Sequence, residues 1–196
     1  DPVDTGRLYY DWVSCIRKRD RPFVLEKSPP NTLRSRWLQK AFPDSYFIGI
    51  VRNGYAVAEG IRRRAGYSID RCARHWNTAN NIMMEDSPYL RKFMLVRYEH
   101  LTGDPSKTIR SIAAFIGLDP TPFESAVNAE WDVHNVDQTA SKIHNFNYKS
   151  LARLAPADIE VVRTEAAKML KYFGYAPHEG DESLDLGGSN KPPRGT

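Results

Sequence analysis

Three apolar runs in this sequence each end in groups able to hold an anion. Phe23-Val24-Leu25 is followed by Glu26-Lys27-Ser28-Pro29, Tyr46-Phe47-Ile48-Gly49-Ile50-Val51 by Arg52-Asn53-Gly54, and Phe93-Met94-Leu95-Val96 by Arg97-Tyr98-Glu99. An arginine offers a rigid fork of donors that matches a phosphate. A lysine supplies a compact charge that can stabilise a bridging oxygen as it becomes a leaving group. Convergence of Lys27, Arg52 and Tyr98 along one sheet edge would make an anion site. Arg64 lies one helix farther on, and positions 60 and 64, being i and i+4, fall on one face of the helix expected there. A helix starting near Gly54 also presents free backbone N–H groups and the positive end of its dipole.

Plainer roles compete at each position. Arg62 and Arg63 read as a solvated basic face. Lys27 reads equally well as a partner of Glu26 or as a surface lysine with a buried stem. Tyr98 has the alternative of a packed ring with its hydroxyl bonded to backbone. Glu99 is expected to bond locally, near the following helix or turn. Arg52 is assigned to a ligand because it directly follows a buried strand, where ligands bind in open α/β sheets.

The elements that must position these residues follow from periodicity. Helices are expected over residues 6–20, from Asn31 (inner stripe Leu33, Trp37, Leu38, Phe42), over 56–64, over 69–84, from Asp104-Pro105 to Gly117, and from Pro156 to Gly174. The run 46–51 reads as a parallel strand covered on both faces, and Phe23-Val24-Leu25 as a short buried strand. Residues 131–147 show little periodicity, and the Gly- and Pro-rich stretch from 177 to 196 is expected to be a disordered tail. Strands alternating with helices argue for an α/β fold built on a parallel sheet, with residues 1–176 as one domain.

Composition narrows the ligand. Twenty-eight Lys and Arg against 24 Asp and Glu give a net charge of +4, which suits a small anion, whereas nucleic-acid binders concentrate far more charge. No nucleic-acid partner is expected. Cys15 and Cys72 stand far apart and read as small buried apolar residues; no Cys-x-x-Cys pair or metal-ligand spacing occurs, so no metal is expected. No apolar run approaches the roughly 20 residues that cross a membrane, and the polar opening Asp1-Pro2-Val3-Asp4 does not read as a signal peptide.

Taken in order, several of these blocks resemble one family. Glu26-Lys27-Ser28-Pro29, Ala41-Phe42-Pro43-Asp44 and Phe47-Ile48-Gly49-Ile50-Val51-Arg52-Asn53-Gly54 are similar to the central block of sulfotransferases that use 3′-phosphoadenosine 5′-phosphosulfate (PAPS). Val96-Arg97-Tyr98-Glu99-His100-Leu101, Asp104-Pro105 and Phe115-Ile116-Gly117-Leu118 resemble the next block. Ala73-Arg74-His75-Trp76-Asn77 and Leu170-Lys171-Tyr172-Phe173-Gly174-Tyr175 resemble segments of tyrosylprotein sulfotransferases and their bacterial relatives.

The resemblance implies a three-layer α/β/α fold of P-loop NTPase-like type and PAPS as co-substrate, without a metal. It implies that Arg52 and Arg64 hold the 3′-phosphate, that Lys27 stands near the transferred sulfuryl group, and that Tyr98 lies beside the cofactor phosphate. Ser141, Lys142 or His144 would reach a phosphate from a loop folded over the nucleotide. The acceptor would be a peptide tyrosine, a carbohydrate or a small molecule.

Two departures matter. The family serine eight residues after the phosphate-binding arginine is Gly60 here, which has no hydroxyl to donate. The family's Pro-Lys/Arg-Ser-Gly-Thr-Thr loop and the glutamate base have no counterpart before Lys27, so the chain is expected to be N-terminally truncated relative to the family. The alternative is therefore a catalytically incomplete fragment, or a nucleotide-binding or interaction module of the same fold. An NTPase on a related fold would need Gly-x-x-x-x-Gly-Lys-[Ser/Thr], which is absent.

Overall fold

A computed structural model describes residues 24–127, 129–130 and 142–177, together with positions 4, 6, 7, 10, 11 and 14. Two strands, β1 (Phe47–Val51) and β2 (Phe93–Arg97), pair in parallel. Between them run α2 (Gly54–Ala65) and α3 (Ile69–Asp86), the crossover that a parallel pair requires. A 3₁₀ turn (Pro29–Arg34) leads into α1 (Ser35–Ala41) ahead of the sheet. After β2 come α4 (Tyr98–Gly103), α5 (Pro105–Ile116), α6 (Thr121–Val127), α7 (Asn147–Leu151), α8 (Pro156–Glu165) and α9 (Ala167–Phe173). This is an α/β architecture on a parallel sheet, as the alternation of elements predicts.

The core forms where α2, α3, α8 and α9 meet the end of β1. Val51, Tyr55, Ala58, Cys72, Trp76, Val162, Ala166, Met169 and Phe173 pack there as one buried cluster. Gly54 is required by close approach: a Cβ would lie 2.9 Å from the Trp76 ring and 3.0 Å from Leu170. Asn53 caps α2, its Oδ1 accepting from the N–H groups of Tyr55 (3.0 Å) and Ala56 (3.3 Å). Asp104 caps α5 through Lys107 N, and Pro105 opens it, as the Asp-Pro pair predicts. Gly117 and Gly174 stop α5 and α9 with positive φ, the conformation a C-terminal glycine supplies.

Several expectations are corrected. Val24 and Leu25 are not in a buried strand: they are 47% and 84% exposed and no strand includes them. An apolar segment becomes a strand only where a neighbouring edge takes up its backbone groups. Here an apolar groove of about 390 Å³, lined by Leu38, Phe47, Ile48 and Met83, lies alongside Val24 and Leu25. Ile50 is 56% exposed, so β1 is not covered on both faces. Ser28, rather than Asn31, precedes the first helical turn, and Asn31 instead donates to Glu26. Leu33 consequently points outward.

The single helix expected from Pro156 is broken at Ala166 into α8 and α9, and the short helices α6 and α7 were not expected. Of the helix expected over 6–20, positions 6, 7, 10, 11 and 14 are described and helical; its other residues, Cys15 included, lie outside the described residues, as do 131–141 and 178–196.

Candidate functional site

Register alone brings two of the proposed site residues together. Val51 pairs with Arg97, so the next residues, Arg52 and Tyr98, leave adjacent strands at the same sheet edge. The Arg52 guanidinium sits over the Tyr98 ring, 4.4 Å from its centroid. Its Nε donates to Asn147 Oδ1 at 2.7 Å, and its backbone carbonyl accepts from Trp76 Nε1 at 3.1 Å. The arginine is thus fixed at both ends, while Nη1 and Nη2 make no hydrogen bond among the described residues. That leaves the terminal fork to meet an anion.

A half-buried polar network supports this arrangement. Glu99 Oε1 accepts from Asn53 N (2.9 Å) and Asn147 Nδ2 (2.8 Å), and Glu99 Oε2 accepts from the Tyr175 hydroxyl (2.8 Å). Glu99 therefore bonds across 46, 48 and 76 residues, not locally as expected. The reason is that the parallel register places the start of α4 beside the cap of α2. Burial, and then the neighbouring Glu99 carboxylate, push the Tyr175 phenol far above its ordinary pKa, so it remains a donor. Arg97 is also structural, donating to Phe173 O at 2.8 Å and lying over the Tyr175 ring.

The Arg52 fork opens into a cleft of about 340 Å³ between α2 and α7. Gly60, Arg63 and Arg64 line one wall, and Phe146, Lys149, Ser150 and Arg153 the other. Among the described residues no carboxylate lines it. Like charges converging on a concave surface raise the local positive potential and favour an anion. A Cβ at Gly60 would meet nothing within 4 Å, so the cleft has spare room there. The basic run on α2 divides by partner. Arg62 pairs with Asp158 at 2.9 Å and Arg63 with Glu59 at 3.4 Å, while Arg64 makes no ion pair among the described residues.

The remaining candidates fall in different places. Tyr98 OH donates to His144 O (3.2 Å) and accepts from Phe146 N (3.0 Å), holding the approach to α7 against the sheet edge. His144 and Lys142 are exposed on that approach; a His144 ring nitrogen lies 2.8 Å from Lys142 O, and the ring packs on Phe146. Ser141 lies outside the described residues. Lys27 is not brought into the cleft. It lines the groove beside β1, which shares no lining residue with the cleft.

Among the described residues no three His, Cys, Asp or Glu side chains come together as a metal-binding group. No helix there is long and apolar enough to cross a membrane.

Sequence reasoning missed Asn147, Lys149, Ser150 and Arg153. A five-residue helix shows too little periodicity to be seen. Two polar ties from α3 escape periodicity as well: Trp76 Nε1 pins the Arg52 carbonyl, and Asn77 Oδ1 accepts from Met169 N at 3.1 Å.

The chain is 24% identical over 177 residues to protein-tyrosine sulfotransferase A of Caenorhabditis elegans, covering 81% of this chain and 47% of the relative. It is 25% identical over 179 residues to protein-tyrosine sulfotransferase of Drosophila melanogaster, covering 80% and 35%. It is 30% identical over 187 residues to carbohydrate sulfotransferase 6 of Homo sapiens, covering 87% and 46%. The chain thus spans about half the length of the curated relatives it matches, or less. The profile of the sulfotransferase family matches residues 4–122, more than half of the sequence, and the chain belongs to that family.

Proposed function

We propose that the chain transfers a sulfuryl group from PAPS to an acceptor hydroxyl, and that the cleft between α2 and α7 receives the 3′-phosphate of the nucleotide. The observation that carries this reading is the Arg52 fork, fixed by Tyr98, Asn147 and Trp76 and directed into a cleft lined by cations and, among the described residues, by no carboxylate. Arg52 and Arg64 would hold the phosphate, and the open position at Gly60 leaves room for it. The donor, when bound, supplies a sulfuryl group activated by its phosphate leaving group.

The chain's own contribution is positioning and positive charge, the same needs that govern phosphoryl transfer. Tyr98 keeps the Arg52 guanidinium over its ring and bonds to His144 and Phe146 backbone groups. His144 and Lys142 stand on that approach, within the segment proposed to fold over the nucleotide. The role of Lys27 at the sulfuryl end rests on the resemblance of Glu26-Lys27-Ser28-Pro29 to the family block. The relatives' names support a protein tyrosine or a carbohydrate hydroxyl as acceptor.

A second reading, a nucleotide-binding module of the same fold without turnover, is favoured by the separation of Lys27 from the cleft. Two measurements test these readings. In a thermal-shift scan, adenosine 3′,5′-bisphosphate is expected to stabilise the chain, and ATP with magnesium or a short nucleic acid is not. Stabilisation by ATP with magnesium alone would contradict both readings. Transfer of labelled sulfate from PAPS to a tyrosine peptide or a carbohydrate then separates the transferase from the binding module.

A further inference from the structure

The last described residues are anchored beside Arg52. Ala176 O accepts from Asn53 Nδ2 at 3.0 Å, and the Tyr175 hydroxyl donates to Glu99 at 2.8 Å. Asn53 caps α2 and follows Arg52 directly in the sequence. The polypeptide beyond Pro177 therefore leaves from the same end of α2 as Arg52.

The segment that leaves there carries charge of one sign. Glu179, Asp181, Glu182 and Asp185 lie close together, and no Lys or Arg occurs between Pro177 and Lys191. The cleft carries the opposite sign. Arg64 makes no ion pair among the described residues, and neither Nη of Arg52 makes a hydrogen bond there. On the facing wall Arg153 donates to Lys149 O at 2.9 Å and to no carboxylate among the described residues.

Reach permits the contact. The 12 residues of α2 make a helix about 18 Å long, and extended chain from 178 to 185 spans up to about 28 Å. A short tether holds an attached group at an effective concentration in the millimolar range. Single exposed ion pairs are weak, so such a contact needs several at once and fades as salt rises.

We propose that the acidic segment 179–185 docks along the cationic cleft between α2 and α7, as a tethered anion that a nucleotide phosphate must displace. The docking stands on the anchored exit of the chain and on charge; the competition rests in addition on the reading of the cleft given above. The C-terminal segment thereby lowers the apparent affinity of the cleft for an anionic ligand, and salt relieves the block.

The test compares the parent chain with Glu179→Gln/Asp181→Asn/Glu182→Gln/Asp185→Asn, which keeps the length and removes the charges. Thermal melts check that both are folded. Without nucleotide, the amide resonances of Gly60 and Arg64 are expected to differ between the two chains at low salt and to converge at about 0.5 M salt. In low-salt calorimetry the variant is expected to bind adenosine 3′,5′-bisphosphate about tenfold more tightly than its parent.

Identical Gly60 and Arg64 resonances would overturn the docking even if affinity rose, because the gain would then be a long-range effect of net charge. Equal affinities would overturn the competition. A resonance difference that grows with chain concentration would assign the segment to a neighbouring copy and overturn the tethered contact. Docking without bisphosphate binding by either chain would support the contact and refute the nucleotide reading of the cleft.

Discussion

Asn147 Oδ1 accepts a 2.7 Å hydrogen bond from Arg52 Nε across 95 residues of chain, and Asn147 Nδ2 donates to Glu99 at 2.8 Å. One buried amide thus joins a cationic side chain from the end of β1 to a carboxylate at the start of α4. Asn147 is 1% exposed and its two charged partners are half-buried, so removing the amide deletes contacts made in the interior. Asn147→Ala is expected to cost about 1.5–3 kcal/mol of stability, the range for hydrogen bonds to charged groups. Affinity for adenosine 3′,5′-bisphosphate should fall by about tenfold as Arg52 loses its anchor. Urea unfolding and calorimetry check both, and a folded variant with unchanged affinity would count against the positioning role.

Much of the site was legible because it is built on periodicity and register. The apolar run ending at Val51 and the one ending at Val96 identified β1 and β2, and their parallel pairing brings Arg52 beside Tyr98 without further information. Asp104-Pro105, Gly117 and Gly174 marked their helix ends because capping is chemistry local to the sequence.

The failures have a common cause: outcomes set by partners distant in the chain. Val24 and Leu25 look like a strand, but no edge takes up their backbone. Glu99 looks like a local cap, but its partners are 46 to 76 residues away. The second wall of the cleft rests on a helix of five residues, too short for a 3.6-residue period to declare itself.

Glu59 bears on the same cleft from behind. It is 2% exposed, pairs with Arg63 at 3.4 Å through Oε1, and leaves Oε2 without a partner among the described residues. A buried carboxylate with one unmet oxygen contributes little net stability. Glu59→Gln is expected to leave stability unchanged or raise it by about 1 kcal/mol, because it removes the buried charge and leaves only a solvated arginine. Arg63, released toward the cleft, should raise bisphosphate affinity by about threefold, the scale of a partly exposed charge pair. Paired melts and calorimetry check this, and a loss above about 2 kcal/mol would show that the Glu59 charge itself holds the fold.

Asp158 gives a pH signature at the start of α8. Its carboxylate accepts from Ala155 N at 3.0 Å and pairs with Arg62 at 2.9 Å. The backbone bond first, and then the Arg62 guanidinium, hold its pKa below the ordinary carboxylate value. A depressed carboxylate stabilises the fold above its unfolded pKa and loses that contribution as pH falls through its folded value. Asp158→Asn should therefore cost about 1 kcal/mol near neutral pH, typical of a helix cap. The gap from the parent should begin to close below about pH 4. Urea unfolding at neutral and acid pH checks the sign; a gap that widens with acid would contradict it.

Arg52 is the fixed phosphate contact proposed for this cleft, and calorimetry of Arg52→Ala with adenosine 3′,5′-bisphosphate tests that role most directly. The variant keeps β1 and the Trp76 bond to the backbone carbonyl, so it should remain folded. The predicted result is an affinity reduced by about tenfold or more, roughly 1.4 kcal/mol, with binding of adenosine 5′-monophosphate little changed. A folded Arg52→Ala chain that binds the bisphosphate as tightly as its parent would contradict the assignment of this cleft to the 3′-phosphate.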